Sequence, residues 1–175
     1  MGMVKVGGIA VTQTSYNKAR EIVNNKPEGK KTKEGVLESL RKMMPGWTIG
    51  TSDTEWGPGV RNIEIDEGVL QKMIDDPEAM VKYKALILDL EEAVPALEQW
   101  AKENEGSSLE FRIHIAANGQ LQAIGIMKAL FGEEIRTEFE LPTDKNTWLS
   151  FIQQKMDALK QGRVEDAEGN KSWVV

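Results

Sequence analysis

The sequence predicts an α+β fold: an antiparallel sheet of four to five strands, helices packed mainly on one face, and a long central helix at 77–103. Three observations predict it. First, Met80, Tyr83, Ile87, Leu90, Val94, Leu97 and Ala101 recur at spacings of three and four, which winds them into one continuous stripe. Leu86, Ala93 and Trp100 lie beside that stripe, so this helix needs partners on more than one side. Second, Leu109–Ala116 alternates almost strictly and Gln120–Met127 returns after Asn118-Gly119, a strong hairpin signal. Third, the strands alternate rather than being apolar throughout, which fits one covered face instead of two.

The elements follow in order. Val4–Val11 reads as extended or loose, since Gly7-Gly8 interrupts any regular element. Ser15 caps a short helix to Asn25 that carries Tyr16, Ala19, Ile22 and Val23 on one face. The polar linker to Lys31 completes an N-terminal arm, residues 1–31. Thr32 caps a second helix with a stripe of Val36, Leu37, Leu40, Met43 and Met44, stopped by Pro45-Gly46. Trp47–Thr51 and Val60–Ile65 read as strands, joined by a loop whose Gly57, Pro58 and Gly59 forbid regular structure. Asp66 caps a short helix bearing Val69, Leu70, Met73 and Ile74. Asp76, Pro77 and Glu78 then start the central helix, and Pro95 bends it.

In the hairpin, a two-residue turn pairs Ile113 with Ile124 and Phe111 with Ile126. That register puts Arg112 across from Gly125 and His114 across from Ala123. Ile135–Leu141 adds a further strand. A last helix after Asp144 carries Trp148, Phe151, Ile152, Met156 and Leu159 and ends at Gly162. Residues 32–162 thus form a single α+β domain, and 163–175 a polar tail ending in Trp173-Val174-Val175. Either terminal arm is a candidate extra strand on an open sheet edge.

Bulk properties narrow the function classes. The chain has 175 residues, 40% of them hydrophobic and 29% charged, which suits one globular core. A net charge of −6 argues against nucleic acid or an anionic membrane as partner. The basic run Lys26–Lys33 has no interleaved aromatic residue for base stacking. Cysteine is absent, which removes thiol catalysis, disulfides and thiolate metal sites. The first eleven residues lack the charged start and apolar centre of a signal peptide, so the expected location is cytoplasmic.

Candidate chemistry is sparse. His114 is the single histidine, so it has no second imidazole with which to share a metal. It reads either as a general base beside a carboxylate or as a partly exposed strand residue, and the second reading is favoured. Asp89, Glu91 and Glu92 read as the solvated outer face of the central helix. The loop Ser52–Gly59 sets Asp53, Glu55 and Trp56 between two strands, where binding residues often sit. No phosphate-loop or EF-hand pattern is complete, and no metal or cofactor is expected.

Asn62-Ile63-Glu64-Ile65, Val69-Leu70-Gln71-Lys72-Met73, Asp76-Pro77-Glu78 and Lys82-Tyr83 together resemble a bacterial family of uncharacterised proteins known only as a domain of unknown function. The shared motif is structural: a strand, a capped helix and a helix start. The resemblance implies bacterial origin and carries over no activity and no catalytic residue.

The sequence therefore favours a non-catalytic binding or protein-interaction module, with a protein partner or a second copy as its target. The contact residues are Arg112, His114, Gly125 and Met127 on the second face of the sheet, or Asp53, Glu55 and Trp56 in the loop. The alternative is a hydrolase-like enzyme that uses His114 with nearby carboxylates.

Overall fold

The computed structural model describes residues 3–6, 9–25, 32–55, 57, 59–103, 110–128, 134–142, 144, 147, 148, 150–154, 163–165 and 171–173. Strands β1 (Met3–Val6) and β2 (Ile9–Thr12) pair antiparallel with each other. Helix α1 (Gln13–Asn25) follows directly. Its cap is Thr12 rather than Ser15, since the Ser15 amide donates to Thr12 Oγ1 at 3.3 Å. Helices α2 (Lys33–Met43) and α3 (Glu67–Asp75) carry the expected caps: Thr32 accepts from the Gly35 amide and Asp66 from the Gly68 amide.

The central helix is broken. It runs as α4 (Pro77–Asp89), a 3₁₀ turn at Leu90–Ala93, and α5 (Val94–Glu103). The break lies where the Pro95 ring would press on the carbonyl four residues earlier. The apolar stripe survives it: Met80, Tyr83, Ile87, Leu90, Val94 and Leu97 are all buried. Asp89, expected in water, is fully buried instead and accepts the hydroxyls of Thr12 at 2.7 Å and Ser15 at 2.8 Å. The N-terminal residues cover that side of α4, and Val6, Val11 and Ala19 join the main core.

The main sheet is mixed, not antiparallel. Strands β3 (Thr48–Gly50), β4 (Asn62–Ile65), β5 (Glu110–Ile115), β6 (Leu121–Lys128) and β7 (Glu134–Glu140) lie in that order. The β3–β4 and β4–β5 pairs are parallel, and the β5–β6 and β6–β7 pairs antiparallel. The connections explain this. Three helices separate β4 from β5, which is ample for a parallel return. The described residues of 51–61 link β3 to β4 without a helix. That suffices because β3 and β4 have only three and four residues, a rise of about 3.3 Å each.

The hairpin register is also shifted by one residue from the expected one. The Ala116 amide donates to Gln120 O at 2.9 Å and the Gly119 amide to Ala116 O at 2.8 Å. Gly119, at φ +83°, closes a three-residue loop. The Asn118 carboxamide oxygen accepts the Gln120 amide at 3.0 Å and supports that turn. Ile113 therefore pairs with Ala123, Phe111 with Gly125, Arg112 with Ile124 and His114 with Gln122. A shift of one residue exchanges the two faces of a strand. Ile124, placed with the core by the expected register, takes the phase of Arg112.

One sheet face, with Ile49, Ile63, Ile65, Phe111, Ile113 and Ile115, shares a core with buried side chains of α2, α3, α4 and α5. Trp148 is fully buried and its indole N–H donates to Pro142 O at 2.8 Å; residues 150–154 continue as helix. The remaining stripe positions of that helix, Met156 and Leu159, lie outside the described residues. Strands β8 (Arg163–Glu165) and β9 (Lys171–Trp173) pair with each other, so neither described terminal segment extends the main sheet. Among the described residues no helix is long and apolar enough to cross a membrane.

Candidate functional site

The second face of the sheet is polar and largely covered. All four residues of β4 are buried, Asn62 and Glu64 included. The crossover loop 51–61 lies on this face. A Cβ added at Gly50 would stand 1.9 Å from Thr54 Oγ1, and one at Gly57 2.5 Å from Thr48 Oγ1. These two glycines let the loop approach the strands. Asn62 fastens it: its Oδ1 accepts the Gly57 amide at 2.8 Å, and its Nδ2 donates to Gly57 O, Gly59 O and Phe111 O at 3.0, 3.2 and 3.0 Å. Arg61 ties the end of the loop to Glu98 of α5 at 3.0 Å.

Beside the loop, one polar row crosses four strands. The register aligns Gly50 with Glu64, Glu64 with His114, and His114 with Gln122. Arg112 reaches across to Glu64, Nη1 to Oε1, at 2.8 Å, and both side chains are more than nine-tenths buried. Desolvating two charges is costly, and a close pair with direct hydrogen bonding offsets that cost. The other oxygen of Glu64 lies 3.6 Å from His114 Nε2, and His114 Nδ1 lies 3.1 Å from Gln122 Oε1.

His114 faces a cavity of about 210 Å³, lined with it by Thr51, Ser52, Glu64, Ile65, Asp66 and Glu67. The cavity opens at the carboxyl ends of β3 and β4, the side on which parallel strands commonly hold ligands. Its volume is below the roughly 300 Å³ at which small-molecule sites begin, and suits a single side chain.

The structure keeps Arg112 and His114 on one face of β5, both beside Glu64. In the backbone register Gly125 is the partner of Phe111 and Met127 of Ile135, while Arg112 and His114 have Ile124 and Gln122 as partners. Asp53 is exposed in the loop, and Glu55 borders a space of only about 10 Å³ between the loop and Arg112. Trp56 lies outside the described residues. Sequence reasoning missed Glu64, Asn62 and Gln122. The available signal was the phase of Asn62 and Glu64, which alternate with two core isoleucines and therefore share one face. Among the described residues no group of three or more histidines and carboxylates is gathered for a metal ion.

The family model described as "Protein of unknown function (DUF6033)" matches residues 56–168. The chain belongs to this family. The match takes in Glu64, Arg112, His114 and Gln122 and contains the stretch 62–83 on which the resemblance rests. Thr48, Gly50, Thr51 and Ser52 precede the part matched to DUF6033. No curated protein and no solved structure matches the chain.

Proposed function

We propose that this DUF6033 chain is a non-catalytic binding module that receives a basic side chain of a protein partner in the cavity beside His114. One observation carries the reading: the groups that catalysis would need are already committed within the protein. Both ring nitrogens of His114 face protein oxygens, of Glu64 and Gln122. A general base needs a nitrogen within hydrogen-bond reach of its substrate. Glu64 is engaged by Arg112. What remains toward the cavity is a rim suited to recognition: exposed Ser52, half-buried Asp66 and exposed Glu67. The chain's net charge of −6 favours a basic partner as well.

The test is an NMR titration with Nα-acetyl-lysine methylamide. The amides of Thr51, Ser52 and Glu67 should shift, and Glu67→Lys should abolish the shift while leaving the spectrum folded. No shift at these amides overturns the reading. The hydrolase alternative is checked on a panel of nitrophenyl esters and phosphates, where turnover that His114→Ala removes would decide for an enzyme.

A further inference from the structure

The main sheet ends differently on its two sides. Strand β3 is the short edge, of three residues, and its Ile49 carbonyl accepts Arg41 Nε of α2 at 2.9 Å. A side chain laid on an edge in this way blocks a further strand. Strand β7 is the opposite edge and has seven residues; among the described residues no strand pairs with its outer side. Leu141, just past β7, donates its amide to Leu121 O at 2.9 Å. Bonded and non-bonded pairs alternate along antiparallel strands. The backbone groups of Ile135, Thr137 and Phe139 therefore point to β6, and those of Glu134, Arg136, Glu138 and Glu140 point outward.

We propose that this edge pairs antiparallel with β7 of a second copy of the chain, about a two-fold axis at Thr137, and joins the two five-stranded sheets into one. The sequence of β7 is self-complementary in that register. All seven residues pair, and every outward backbone group meets an outward one. Arg136 stands opposite Glu138 of the second copy, twice over by symmetry, Ile135 opposite Phe139, and Thr137 opposite itself. Opposite charges and aromatic–β-branched pairs directly across strands stabilise them, and like charges destabilise them. Like charges meet only at the two ends, Glu134 against Glu140. A slip of two residues either way also matches the outward groups, but it sets Arg136 against Arg136 or Glu138 against Glu138 at the centre. Charge thus selects one register.

Sedimentation velocity of the full chain over a concentration series tests this, and a dimer should form. Glu138→Pro removes one outward amide, which an edge strand tolerates, and should abolish the dimer with circular dichroism unchanged. Arg136→Glu and Glu138→Arg each oppose like charges at both central pairs and should weaken the dimer by about tenfold or more. The double variant Arg136→Glu/Glu138→Arg restores the pairs and should recover most of the loss. If Glu138→Pro does not fold, the charge variants decide. A chain that stays monomeric up to about 1 mM overturns the proposal. So does a dimer that survives Glu138→Pro, or a double variant no tighter than the single ones.

Discussion

The guanidinium of Arg112 on β5 lies 2.8 Å from the carboxylate of Glu64 on its parallel neighbour β4, with both side chains more than nine-tenths buried. Both charges are largely withdrawn from water, and the pair offsets part of the cost of burying each. Removing one partner of such a pair typically costs about 3–5 kcal/mol, while replacing both by apolar groups of similar volume costs far less. Glu64→Gln should therefore lower stability by about 3–5 kcal/mol, and Glu64→Gln/Arg112→Met should recover part of the loss. Urea denaturation measures both. An unchanged midpoint in Glu64→Gln would show that the pair is held by its surroundings alone.

Gly50 is required by the close approach of Thr54, whose Oγ1 would lie 1.9 Å from an added Cβ. Thr54 also accepts the Thr51 amide at 3.1 Å. Gly50→Ala should thus lift the crossover loop and cost about 1–3 kcal/mol, the usual cost of overpacking. Hydrogen exchange should quicken at the Thr51 and Thr54 amides, and Thr54→Gly in the same chain should restore part of the stability. Wild-type exchange in Gly50→Ala would mean the loop does not rest on β3.

Leu90 is fully buried at the break between α4 and α5. Leu90→Ala should cost about 2–5 kcal/mol through lost burial and a residual cavity. A denaturation midpoint equal to wild type would place this turn outside the core.

Glu78 links α1 to α4. It accepts the Tyr16 hydroxyl and pairs with Arg20 at 3.2 Å. The Tyr16 hydrogen bond, with the Arg20 charge beside it, holds the Glu78 carboxyl below its ordinary value of 4.5. A carboxylate with a depressed folded pKa adds stability that is present above the unfolded pKa and is lost as pH falls through the folded one. Both side chains of the ion pair are about half exposed, so solvent screening keeps the effect modest. Thermal melts from about pH 6 to about pH 3 should show a steeper acid loss in the wild type than in Glu78→Gln. Parallel curves would remove Glu78 from the acid response.

The sequence determined by itself the features set by residues a few positions apart. Asp76 caps α4 as expected, accepting the Glu78 amide at 2.9 Å, and Thr32 and Asp66 cap their helices. The apolar stripe from Met80 to Leu97 is buried as its spacing required. Membership of a family of unknown function was legible in residues 62–83. At the candidate site, Arg112 and His114 were legible because alternation along one strand puts them on one face.

Tertiary structure alone decided the rest. Strand direction depends on the path of the connections, so β3, β4 and β5 run parallel although their alternation resembles that of antiparallel strands. One extra residue in the turn moved Ile124 and Gly125 to opposite phases from those expected, because strand periodicity is two and a single step reverses every side chain. Asp89 looked like a solvent-facing charge, and it is buried by segments distant in sequence. Glu64 meets Arg112 only because α3, α4 and α5 return the chain to the edge of β4. Local signals report what a residue does to its own few neighbours. Which distant surface covers a charge is settled only when the whole chain closes on itself.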